Sequence, residues 1–315
     1  AQVLAQFQDY RILEAKTFTA SSTSAEISGT ASVANIASIV SAGATNTNLT
    51  YSLSDTTDNL NTAVTSNNAV LVNATDIGFS ETIDNDAKLT KLNAVAAVGS
   101  ASVSGTVSST PTLIASRTNL GTGDNLTITL TDDASLSQFA TIKGYTSQST
   151  IAFSSSKGLS DALSDFISSE SKTTNYGTAK SGTVDAPITL SAVTTSVSNL
   201  KDLNALLSDN EGGVTATLNP ASNDADALSA ITATDSGSAL NLTAGSGNSL
   251  TVNVGTQATD DTKISRLNTL IGQAGVSSVT GSLTSVTVTQ ATTITSGQSK
   301  VCLLYTSDAA DEHSW

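Results

Sequence analysis

Five times along the chain, three apolar residues stand three apart. They are Val33, Ile36 and Ile39; Leu89, Leu92 and Val95; Leu136, Phe139 and Ile142; Leu200, Leu203 and Leu206; and Ile264, Leu267 and Leu270. Successive triplets begin 56, 47, 64 and 64 residues apart. A spacing of three, with neighbours filling in at four, marks one face of a short helix. DTKISRLNTLIGQAG (261–275) is the clearest copy, with Asp260 or Asp261 placed to cap its start and Gly275 to end it. SVSNLKDLNALLSDNEGG (196–213) repeats the plan, with Ser196 or Ser198 as cap and Gly212 or Gly213 as stop. TDDASLSQFATIKG (131–144) is a third copy.

About six to nine residues after each triplet's last member comes an alternating, β-branched run: NLTYSLS (48–54), ASVSGTVSS (101–109), STIAFSS (149–155), GVTATL (213–218) and SVTGSL (278–283). Apolar residues alternating with Ser or Thr read as a strand with one buried face. Each period has a second half. DALS at 161–164 recurs at 226–229, and each copy opens a weaker helix-like stretch. Further strands are expected at AVLVNA (69–74), NLTITLTD (125–132), PITLSA (187–192) and across LNLTAG and SLTVNVG (240–255).

A coil of roughly 30 residues that buries only a few medium apolar side chains cannot offset the entropy of ordering its own backbone, so coils of this size must stack. Strand, helix, then parallel strand is the right-handed crossover connection. The expected fold is therefore α/β: a tandem-repeat solenoid of short parallel strands alternating with short helices. The alternative is a string of all-β sandwich domains. Residues 20–300 form the expected repeat array. Residues 1–19, including AQVLAQFQDYRILEAK (1–16), differ in composition and read as a linker or capping helix.

Composition narrows the class. Ser and Thr make up roughly a third of the chain, yet hydrophobic residues still reach 38% and charged residues only 13%. Disordered chains combine low hydrophobicity with high charge, so this one is expected to fold. A formal net charge of −14 repels phosphate backbones, so nucleic acid is not an expected partner. No apolar run approaches the length of a membrane span.

The only Cys, His and Trp are Cys302, His313 and Trp315. The stretch CLLYTSDAADE (302–312) is a gap-free translation that resembles a transposase adapter used in shotgun sequencing. Residues 301–315 are therefore expected to be a non-native, adapter-derived tail, with the natural chain running on beyond Lys300. Cys302 is then no nucleophile and His313 no ligand. General acid–base work would fall to Asp, Glu, Lys or Tyr. The paired acids Asp132 and Asp133, Asp224 and Asp226, and Asp260 and Asp261 each precede a helix-like stretch, where capping explains them. No catalytic, cofactor-binding or metal-ligating residue is assigned. Calcium enters only as a possible surface cation at such pairs, because the Gly-Gly-x-Gly-x-Asp repeat is absent and GSGNSLTVN (245–253) lacks its Asp. GTGDNL (121–126) lacks the Lys of a phosphate loop and reads as a turn. Asn48, Asn73, Asn125 and Asn241 each open an Asn-x-Thr triplet, a match common by chance in so Thr-rich a chain.

The unit NLKDLNALLSDN (199–210), followed by GVTATL and Ala/Ser/Thr turns, resembles tandem repeats of very large exported proteins of aquatic bacteria, cyanobacteria among them. The likeness covers most of residues 20–300 and lies in rhythm more than in residues. It implies a secreted, non-enzymatic segment at the cell surface, structural or adhesive, whose partners are neighbouring repeats and surface glycans or other cells. It carries over no site residue. Two alternatives are a polysaccharide-active solenoid enzyme with carboxylates on its sheet face, and a calcium-stiffened adhesin.

Overall fold

The structure, a computed structural model, describes residues 25–41, 49–66, 69–148, 151–182, 186–220, 247–258, 260–273, 275–284, 286–294 and 301–306. It is α/β, with parallel sheets that do not close into a barrel. The chain divides into two compact units: residues 1–133 with 138–155, and residues 134–137 with 156–315. The segments 1–19, 226–229 and 240–246, with Asp224, Asp226, Asn48 and Asn241, lie outside the described residues.

In the first unit, strands β1 (Ala25–Ala31), β2 (Leu49–Asp55), β3 (Ala74–Phe79), β4 (Ser102–Ser109), β5 (Asn125–Leu130) and β6 (Ala152–Phe153) lie side by side in chain order. Every adjacent pair is parallel. The crossovers carry α1 (Val33–Ser41), α2 (Thr57–Ser66), α3 (Ala69–Val72), α4 (Asp86–Ala96), α5 (Pro111–Ala115) and α6 (Leu136–Lys143). Leu53 pairs with Ile77, Ile77 with Val103, Val107 with Ile128 and Leu130 with Phe153, offsets of 24, 26, 21 and 23 residues.

In the second unit, β7 (Leu159–Asp161), β10 (Ile188–Leu190), β12 (Val214–Pro220), β13 (Ser249–Ala258), β14 (Val276–Thr284) and β15 (Val301–Thr306) again follow chain order in one parallel sheet. A short strand β11 (Val193–Thr195) extends β10 along β12. The helices are α7 (Leu163–Phe166), α8 (Thr174–Gly182), α9 (Val197–Asp209), α10 (Asp261–Ile271) and α11 (Val288–Thr293). An antiparallel hairpin of β8 (Ile167–Ser168) and β9 (Ser171–Lys172) interrupts one crossover. Both large sheets are parallel throughout, whereas a β-sandwich is built from antiparallel strands.

The five triplets supply the helix side of the core. Leu89, Leu92 and Val95, Leu136, Phe139 and Ile142, Leu200, Leu203 and Leu206, and Ile264, Leu267 and Leu270 are all buried, as are Ile36 and Ile39. Strand residues alternate: Leu49, Tyr51 and Leu53 are buried while Thr50 is exposed and Ser52 half-buried. Ser196 caps α9 and Asp260 caps α10, each accepting a backbone N–H three residues on. Both helices end sooner than expected. Asn210 and Gly272, not Gly212/Gly213 and Gly275, hold the C-cap positions.

Two strand expectations need correction. AVLVNA (69–74) is helical at Ala69–Val72, and the strand begins at Ala74. Val70 and Leu71 are both buried, which adjacent residues of a one-sided strand cannot be, and the Tyr51 hydroxyl donates to the Val70 carbonyl at 2.7 Å. Burial pushes the Tyr51 phenol up to about 12, so it stays a donor. A short apolar run has no period by which helix and strand could be told apart. Within STIAFSS (149–155), only Ala152 and Phe153 form a strand. Val301–Thr306, set apart by its sequence, pairs in parallel with Val279–Thr284. Ladder hydrogen bonds are main-chain bonds, so a sheet edge selects weakly for sequence.

Glycine sits where neighbouring coils touch most closely. Between Asn253 and Thr256 of β13, and Thr280 and Ser282 of β14, the register slips by one residue. Gly281 there has φ +145°, and a Cβ on it would lie 2.6 Å from the Gly255 carbonyl oxygen. Gly105 of β4 has φ +157°, and a Cβ on it would lie 3.1 Å from the Phe79 Cβ. Gly281→Ala should therefore destabilise the second unit by about 1–3 kcal/mol. The urea midpoint will check this against Ser282→Ala, for which little change is expected.

Candidate functional site

Three carboxylates at or just past strand ends bind the N-terminus of a preceding helix. The Asp55 carboxylate, at the end of β2, accepts from the Val33 N–H that opens α1, at 3.0 Å. Glu81 accepts from the Thr57 N–H of α2 at 2.9 Å, and Asp161 from the Leu136 N–H of α6 at 3.2 Å. Each satisfies one of the orphan donors of a helix N-terminus and matches its dipole. Lys88 pairs with Glu81 at 3.0 Å and with Asp84 at 3.3 Å. Lys91 reaches from α4 back to Asp58 of α2.

The paired acids behave individually. Asp260 caps α10 through the Lys263 N–H at 2.8 Å. Asp132 accepts from the Asp133 N–H within a turn, and the Asp161 carboxylate accepts from the Leu136 N–H at the start of α6. Among the described residues, no group of three or more His, Cys, Asp or Glu side chains is placed to hold a metal ion. In GTGDNL, the Asp124 side chain accepts from Gly121 N–H and from Val103 N–H of β4, both at 2.9 Å. That turn thus closes a coil corner.

The outward sheet face differs between the units. In the first, the two Asp76 oxygens accept from the Ser102 and Ser104 hydroxyls, each at 3.2 Å. In the second, the rows are uncharged: Thr189, Thr215 and Ser249 lie in register, as do Thr217, Thr251 and Ser278. The Asn253 amide donates to Asn219 at 3.3 Å. Among the described residues, the acids of this unit lie off these rows. Partial burial pushes the Asp209 carboxyl up, but the ion pair with Lys172 at 2.6 Å and the charge of Lys180 at 3.7 Å outweigh it and hold the group below its ordinary value.

A concave feature lies between α10 and α11, an open groove of about 630 Å³. Ile264 lies at its base, and Asp261, Ser265, Asn268, Thr269 and Gln290 line it. The Gln290 amide donates to Asp261 Oδ1 at 3.0 Å, and the Asn268 amide to the Thr293 carbonyl at 3.0 Å. Asn268 Oδ1 is buried without a hydrogen-bond partner. The volume lies in the range of small-ligand sites, with polar groups converging over an apolar floor. In the sequence Asp261 reads as a helix cap or paired acid and Ser265 and Asn268 have no assigned role, although the three share a helix face at i, i+4 and i+7.

In comparisons with known proteins, no family model matches the chain and no curated protein shows significant similarity to it. Among the described residues, no helix is long and apolar enough to cross a membrane.

Glu81 gives the coil junctions a pH signature. Hydrogen bonds from Lys88 and Thr57 lower its carboxyl from 4.5 to about 2. A depressed carboxyl contributes stability above its unfolded value and loses that contribution as pH falls through the folded one. Glu81→Gln should therefore lower the denaturation midpoint at pH 6, and the gap from the unmodified chain should close between about pH 4.5 and 2. A gap that holds constant down to pH 2 would remove Glu81 from that role.

Proposed function

We propose that this chain is a non-enzymatic repeat segment of a large secreted bacterial surface protein, built of solenoid coils and serving as a spacer or adhesive stalk outside the cell. One observation carries the reading: in both units, each sheet strand adds in parallel beside its predecessor in chain order. Such a stack grows by adding coils, each in contact only with its neighbours. Three further features support it. The helix triplets recur in both units, strand-end carboxylates join coil to coil, and the exposed strand positions are largely Ser, Thr and Asn. An acidic, hydroxyl-rich surface keeps a long array soluble and resists self-association. Neighbouring repeats and surface glycans are its proposed partners.

Pulling the chain from its ends by atomic force microscopy tests this. A stack of coils should peel in a series of small steps, each releasing roughly 70–120 Å of contour for a coil of 21 to 34 residues. A single all-or-none rupture at one fixed length would overturn the solenoid reading.

A further inference from the structure

Helices α4 and α10 carry one frame. DAKLTKLNAV (86–95) and DTKISRLNTL (261–270) share Asp, Lys, an apolar residue, Thr or Ser, a basic residue, Leu and Asn at the same seven places. Each helix is followed by a shorter helix capped by a threonine, Thr110 before α5 and Thr287 before α11. What lies between the paired helices differs.

Between α4 and α5, the space is filled by Arg117, whose side chain is only 11% exposed. Its guanidinium pairs with the Asp86 carboxylate and donates to the Thr90 hydroxyl at 3.0 Å, while Nε donates to the Leu113 carbonyl at 3.0 Å. The residues after it are read through their main chain. Asn93 Oδ1 accepts from the Thr118 N–H at 3.1 Å and the Asn119 N–H at 3.0 Å. Arg117 stands seven residues after Thr110; seven after Thr287 stands Ile294, buried. No arginine reaches the second groove from that position, and the groove is open. Yet the receptor side persists. Asp261, Ser265 and Asn268 stand where Asp86, Thr90 and Asn93 stand, and Asn268 Oδ1 has no hydrogen-bond partner. The Gln290 amide occupies Asp261 Oδ1, a neutral donor where the first unit has a cation.

We propose that the groove between α10 and α11 receives the arginine side chain of a partner polypeptide, held by the Asp261 carboxylate and the Ser265 hydroxyl. Arginine fits better than lysine because its planar fork reaches two acceptors one helical turn apart, as Arg117 does within this chain. A polypeptide fits better than a free guanidinium because the groove, about 630 Å³, is lined beyond Asp261 and Ser265 by Thr269, Thr289 and Thr293, further than a guanidinium extends. The net charge of −14 favours a cationic partner. This assignment does not depend on the chain acting as a spacer.

The probe is acetyl-Ser-Arg-Thr-Asn amide, the sequence of residues 116–119, titrated into the full chain by calorimetry and by NMR of the labelled protein. Saturable binding is expected. It should weaken about tenfold or more when the peptide arginine becomes citrulline, and equally in Asp261→Asn, because a charge-assisted hydrogen bond is lost. Thr269→Lys, at an exposed position on the groove wall, should abolish binding while leaving the melting temperature unchanged, which separates loss of the site from loss of the fold. No saturable binding at millimolar peptide, or unaltered binding to Asp261→Asn, would overturn the proposal. Arginine amide binding as tightly as the tetrapeptide would overturn the polypeptide assignment.

Discussion

A strand of a parallel sheet cannot pair with the segment that directly follows it. Its N–H and C=O groups are satisfied only by the strands on either side, and a buried main-chain group left unpaired costs as much as a lost hydrogen bond. The other features described here serve that requirement. Apolar triplets fix each helix against its strand, so the strand is presented edge-on to its neighbours. Gly105 and Gly281 admit a neighbouring coil where a Cβ would hold it off. Asp55, Glu81 and Asp161, at or just past the end of a strand, each accept from the N-terminus of a preceding helix, joining sheet and helix layers as well as strand to strand.

The same requirement sorts the charges. The carboxylates that cap helices sit at coil corners, where lysines from the helix layer meet them, as Lys88 meets Glu81. In the second unit, the register-aligned rows of Thr, Ser and Asn leave the outward sheet face uncharged although the chain is strongly acidic. Corner charges here hold adjacent coils together instead of converging on one point.

How much of this the sequence displays depends on the range of each interaction. Helix faces are local, so the triplets could be read directly, and all five lie in helices with their residues almost entirely buried. Caps within a helix's own first turn, Ser196 and Asp260, are equally local. AVLVNA was misleading because four apolar residues have no period. The strand-end carboxylates were invisible for a different reason: their partners lie 22 to 25 residues away, across a register that spacing alone does not set. β1 and β3 went unforeseen, since AEISGTA and ATDIGF carry Glu, Asp and Gly among few apolar residues. The groove was harder still. Its polar residues are plain in DTKISRLNTL, but its openness depends on Ile294 standing where another coil has Arg117.

That last contrast bears on how a repeated frame diversifies. Leu92 and Leu267 occupy one position and are both fully buried, because the coil beneath fixes what can stand there. Residues just past the second helix of each pair lie outside that constraint. An arginine there closes the space between helices by reaching the carboxylate, the hydroxyl and the main chain at once. An isoleucine turns into the core instead and leaves the carboxylate with a neutral amide and the asparagine with an unused acceptor. Hydrogen-bonding capacity that one coil spends on its own cohesion is thereby released in another, without any change to the strands or buried leucines that keep the coils in register.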